Sequence, residues 1–145
     1  MDYKLTLPSA LNYFSTLVQS DEEFPLLETA VSLAQDEFPA LDLQQVLDEV
    51  DVMSAKLKRR LLPSADALDK LRELNRFFYE DMRFAGNVNH YDDPHNSYLN
   101  VVLSKRLGIP ISLAVLWLEL GQSLGLNVSG VSFPGHFLVK LDLSF

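Results

Sequence analysis

Residues 110–125 read PISLAVLWLELGQSLG. Proline suits the first turn of a helix, where its missing N–H is not needed, and the run behind it is apolar on nearly every side. A helix of that pattern is covered all round, so residues 110–125 predict the buried central helix of a domain, with Gly125 as its natural stop. Two residues break the apolar pattern. Ser112 lies in the first turn, among backbone N–H groups that lack helical partners. Glu119 is a carboxylate inside the apolar run, which is costly unless it is paired or reaches the surface.

Upstream, the chain reads as helices separated by short turns. Ser9 after Pro8 can cap a first helix with Leu11, Phe14 and Leu17/Val18 on one face. Pro25 suits the first turn of a second, in which Leu27, Ala30, Val31, Ala34 and Phe38 recur at helical spacing. Asp42 can cap a third, turning Leu43, Val46, Leu47, Val50, Leu57 and Leu61 inward. Ser64 is the expected cap of a fourth, with Leu68, Leu71, Leu74 or Asn75, Phe78 and Met82 as its buried stripe, broadened by Phe77 and Tyr79. Residues 84–96, FAGNVNHYDDPHN, are dense in turn formers and predict an ordered loop. Asn96 or Ser97 then caps a fifth helix carrying Leu99, Val102 and Leu103.

Downstream of Gly125 two strands are expected, near 128–133 and 136–143. In the second, Phe137, Val139, Leu141 and Leu143 alternate with His136, Leu138, Lys140 and Asp142, which suggests one dry face and one wet face.

Composition narrows the function. The 145 residues are 48% hydrophobic and 22% charged, as in an ordinary globular protein. The formal net charge of -8 disfavours nucleic acid and anionic membranes as partners, since both need a positive field. The basic cluster Lys56, Lys58, Arg59 and Arg60 closes a predicted helix, where cations complement the dipole. Without any cysteine there is no disulfide framework, thiolate metal site or thiol nucleophile. The first residues, MDYKLTLPSA, lack the pattern of a signal peptide, and no apolar run is long enough to span a membrane. A cytoplasmic location is the expectation. His90, Asp92, Asp93 and His95 place metal-binding chemistry in one loop, but turn formation by Asp93 and Asn96 through side-chain to backbone bonds is the stronger account. No metal and no other cofactor is expected.

Three segments carry a family resemblance: FAGN at residues 84–87, YDDPHNSYLNVVLSKRLGIPISLAVLWLELGQSLGL at 91–126, and GVSFPGHFLVKL at 130–141. Together they resemble the transglutaminase-like superfamily, and within it the bacterial SirB-one (YchA-like) regulator family. The resemblance implies an α+β fold, with helical residues 1–83 packed on a transglutaminase-like (papain-like) core at 84–145, the two forming one folded unit. That core has a central buried helix and short antiparallel strands. Because the family continues with further strands, the C-terminal part of the core is expected to be truncated, leaving a strand edge open to self-association.

Catalytic members of the superfamily carry a cysteine at the start of the central helix, a histidine on a following strand and an aspartate beyond. By resemblance the first position falls at or beside Ser112 and the second at His136. Asp142 shares the parity of His136 but stands about 20 Å along the strand, too far to orient it. The expected function is therefore a non-catalytic regulatory or interaction scaffold for a protein or peptide. Asp93, Asn96, Ser112, Glu119 and His136 lie at its cleft. The alternative is a serine-dependent hydrolase or acyltransferase using Ser112 and His136.

Overall fold

A computed structural model of the chain describes residues 26–133 and 136–141, with the backbone alone at 130–133 and 136–140. The expected first helix and Pro25 lie outside those residues. Helix α1 (Leu26–Glu37) buries Leu26, Leu27, Ala30, Val31 and Ala34, as its spacing predicts. Phe38 falls one residue past the helix, its N–H still bonded to the Ala34 carbonyl.

Helix α2 (Leu43–Lys58) starts where Asp42 accepts a bond from the Gln45 N–H. It buries Val46, Val50, Met53 and Leu57, while Leu47 is half-buried.

Helix α3 (Ala67–Asn75) corrects the expected cap. Asp66, not Ser64, opens the helix: its carboxylate accepts from the Asp69 N–H at 2.8 Å, and Asp69 returns the bond to the Asp66 N–H at 3.2 Å. A reciprocal pair satisfies two free donors at once, which a serine two residues earlier cannot do. The predicted stripe also changes course. Leu68 is exposed, and after Asn75 the chain widens into a π-helical turn at Arg76–Asp81. The wider turn lets two adjacent aromatics, Phe77 and Phe78, both enter the core. Phe78 stacks on Phe84 at 4.6 Å between centroids.

Beyond that turn the backbone forms a parallel ladder two residues long, β1 (Ala85–Gly86) with β2 (Leu107–Gly108). Between the two strands lie a 3-10 turn (Pro94–Ser97) and helix α4 (Leu99–Lys105). The N-cap of α4 is Tyr98, without a side-chain bond. This corrects the expectation of Asn96 or Ser97, which the 3-10 turn places one step too early. Leu99, Val102 and Leu103 face inward as expected.

Helix α5 (Pro110–Ser123) is the central helix, with Val115, Leu116, Leu118 and Leu120 at most 1% exposed. It stops at Gly125, whose φ of 83° is a conformation that glycine adopts without strain. The hairpin β3 (Val128–Phe133) and β4 (His136–Leu141) follows, antiparallel, with Val128 opposite Leu141 and Phe133 opposite His136. The fold is α+β.

Among the described residues one apolar core runs through helices α1 to α5. It joins Val31, Val50, Leu57 and Leu74 to Leu99, Leu116 and Val128. Among the described residues no helix is long and apolar enough to cross a membrane.

Candidate functional site

Ser112 is the third residue of α5 and is fully buried. Its Oγ accepts the Ile109 N–H at 3.1 Å and donates to the Asn96 carbonyl at 2.6 Å, with the Ile109 carbonyl also 3.1 Å away. The hydroxyl has one proton, and the shorter contact identifies its acceptor. Gly108 makes the fit possible, since a Cβ there would stand 2.7 Å from Oγ.

Asn96, itself buried, extends the network. Its Nδ2 donates to the His90 carbonyl at 2.8 Å, and its Oδ1 accepts from Asn87 Nδ2 at 2.9 Å. The Asn87 N–H in turn bonds the Gly108 carbonyl. Asp93 accepts the His95 N–H at 2.9 Å, which starts the 3-10 turn. These are the side-chain to backbone bonds expected of turn-forming Asp and Asn. His95 packs edgewise against Tyr98 and at a tilt against Phe38. Burial, then Glu37 and Asp36, raise the phenol pKa of Tyr98.

Of the residues singled out in the sequence, Asn96 and Ser112 touch, and Asp93 caps the 3-10 turn that holds Asn96. Glu119 does not join them. It lies seven residues along α5, about 10 Å at 1.5 Å per residue. Burial raises its carboxyl pKa above the ordinary 4.5, and the charges of Asp51 and Glu28 add to the rise. His136 opens β4, but its side chain lies outside the described residues, as does any pairing with Ser112. Among the described residues no three metal-type donors converge, and the 90–95 loop forms no such group. Gly108 and Asn87 fall within the stretches that carry the family resemblance but were not singled out as site residues, yet both shape the surroundings of Ser112.

Beside the first two turns of α5 lies a cavity of about 350 Å³ lined by Asn75, Tyr79, Pro110, Leu113, Ala114 and Trp117. The Trp117 indole N–H donates to Asn75 Oδ1 at 2.9 Å, fixing the two side chains together. A second cavity, about 320 Å³, lies between the turn that follows α2 and the face of α3 bearing Asp69 and Arg72. Asp93, Asn96, Ser112 and Glu119 do not line it.

The family model of the transglutaminase-like superfamily fits residues 44–144. The chain belongs to the transglutaminase-like superfamily. It is 42% identical over 123 residues to a UPF0162 protein of Xylella fastidiosa, covering 85% of this chain and 44% of that protein. A UPF0162 protein of Vibrio cholerae is 33% identical over 127 residues, 86% of this chain and 47% of its own length. A stretch of 70 residues, 48% of this chain and 11% of the other, is 39% identical to mouse F-box only protein 21. This transglutaminase-like chain thus spans less than half the length of the UPF0162 relatives. No solved structure matches it.

Proposed function

We propose that this transglutaminase-like domain is a non-catalytic regulatory or protein-interaction scaffold that works in the cytoplasm. The observation that carries the reading is the state of Ser112: its hydroxyl is fully buried, its proton goes to the Asn96 carbonyl, and its oxygen accepts the Ile109 N–H. A nucleophile needs a general base at the proton and open space at the oxygen, and here a backbone carbonyl occupies the place of the base. The absence of cysteine from the chain supports the same reading.

The surface that takes a protein or peptide partner is the groove between α5 and the π-helical turn. Tyr79 is 54% exposed there, and Trp117 forms the opposing aromatic wall. Aromatic side chains that are fixed in place bind at low cost in conformational entropy.

The test has two arms. A fluorophosphonate probe added to the folded protein should leave Ser112 unlabelled by mass spectrometry, and stoichiometric labelling would overturn the reading in favour of a serine hydrolase. In affinity capture from bacterial cytoplasm, Leu113→Glu should abolish retention of the partner and Leu62→Glu, on a distant exposed side chain, should not. Equal retention by both variants would remove the groove from the proposal.

A further inference from the structure

The backbone departs from the β1–β2 ladder at Gly86 and returns to it at Leu107, and between them residues 87–97 run outside the apolar core before α4 rejoins it through Leu99, Val102 and Leu103. The base of the excursion is closed by two bonds, Ala85 N–H to the Arg106 carbonyl at 3.0 Å and Asn87 N–H to the Gly108 carbonyl at 2.9 Å. Both ends are strained. Arg83, just before β1, and Arg106, just before β2, each have φ of 63°, the left-handed region that side chains other than glycine and asparagine seldom adopt. Strain of this kind persists only where the surroundings hold it, and it gathers at parts that switch.

The excursion is held down by polar bonds around Asn96 and, where it joins α4, by the packing of His95 and Tyr98 on Phe38. Asn96 lies on it and bonds to Asn87 and His90 within it, while its own carbonyl takes the proton of Ser112 from the central helix. The Ser112 side chain is the hydrogen-bonding tie between α5 and this turn. The tip carries Val88, 81% exposed, and Tyr91, 76% exposed, so little apolar burial restrains that end.

We propose that residues 86–98 form a latched strap across the start of α5, with the bond from Ser112 to the Asn96 carbonyl as the latch and the left-handed residues Arg83 and Arg106 as its strained anchors. Opening the strap bares the first turn of α5 without unfolding the helical core. The latch gates access to that end of the central helix whether or not position 112 does chemistry, so it stands or falls separately from the scaffold reading.

Native-state hydrogen exchange on the full chain tests it. The reporters are the N–H groups of Asn87, Asp93, His95, Asn96 and Tyr98, all bonded within the strap or at its base, with the N–H groups of α2 as reference. Ser112→Ala should speed exchange of the strap reporters about 5- to 10-fold, the loss of one hydrogen bond, and change α2 by less than about twofold. Asn87→Ala, which leaves Ser112 in place, should accelerate the same reporters, and it decides the matter if the first variant fails to fold. Unchanged strap exchange in a folded variant, or acceleration shared equally by α2, would overturn the latch.

Discussion

Position 112 is shaped for oxygen. A sulfur atom is larger and sits farther from Cβ, yet Oγ already lies 2.6 Å from the Asn96 carbonyl and would be 2.7 Å from any Cβ at position 108. Ser112→Cys should therefore lower stability by about 1–3 kcal/mol, the range for overpacking a tight interior, and urea denaturation will measure it. The folded variant should also resist iodoacetamide. Glu119 gives a second outcome at this scale. Its carboxyl pKa is raised in the fold by burial first and by Asp51 and Glu28 next. A raised folded pKa means that the fold binds the proton more tightly than the unfolded chain does. The stabilising contribution is full below the ordinary glutamate value and is lost as pH rises through the raised one. Glu119→Gln should flatten the fall in thermal midpoint between mildly acidic and neutral pH, and an unaltered pH profile would show that Glu119 is not its source. The turn-forming roles of Asp93 and Asn96 were legible in the sequence because short polar side chains bond nearby backbone almost wherever they stand. The partnership of Asn96 with Ser112 was not, since it spans 16 residues and depends on a fold that the loop alone does not dictate.

Helix faces were the most legible elements, because apolar spacing in α1, α2 and α4 records which side is buried. Helix ends were less so. Ser64 and Asp66 are both sound caps by residue type, and what separates them is the reciprocal bond with Asp69, a pair recognised only when both partners are considered together. Asp66→Ala should cost about 1 kcal/mol and Ser64→Ala a few tenths at most, a contrast that thermal denaturation can read. The π-helical turn at Arg76–Asp81 left no periodic signal of its own. It shows in the sequence only as the adjacent pair Phe77 and Phe78 at the end of an otherwise amphipathic helix. Arg60 adds to the anchoring of this turn, pairing with Asp81 and lying over the Phe77 ring. The two-residue ladder of β1 and β2 was hidden for a different reason: strands that short have no alternation to detect.

Across the whole molecule, the central helix made the position of the core legible, because an all-apolar segment must be surrounded, while the α+β class rested on the family resemblance and the two strands expected after Gly125. What surrounds it comes from both halves of the chain. Val31, Val50, Met53, Leu57 and Leu74 precede residue 84, and Leu99, Val102, Leu103 and Val128 follow it. A fragment of residues 84–145 would expose the α5 face that α1, α2 and α3 cover, so it should show no cooperative thermal transition by circular dichroism, while the full chain should unfold in one step. A sharp transition in the fragment would mean that the C-terminal half needs no lid of helices. The groove beside α5 has an optical consequence as well. Trp117 is the chain's single tryptophan, half-buried and bonded through its indole to Asn75. Light at 295 nm, which is on the order of the wavelength that selects indole over phenol, will thus excite one reporter at one wall of one groove. Its emission shifts when that wall is covered and stays still when a partner lands elsewhere, so the native molecule needs no added dye to tell where it has been touched.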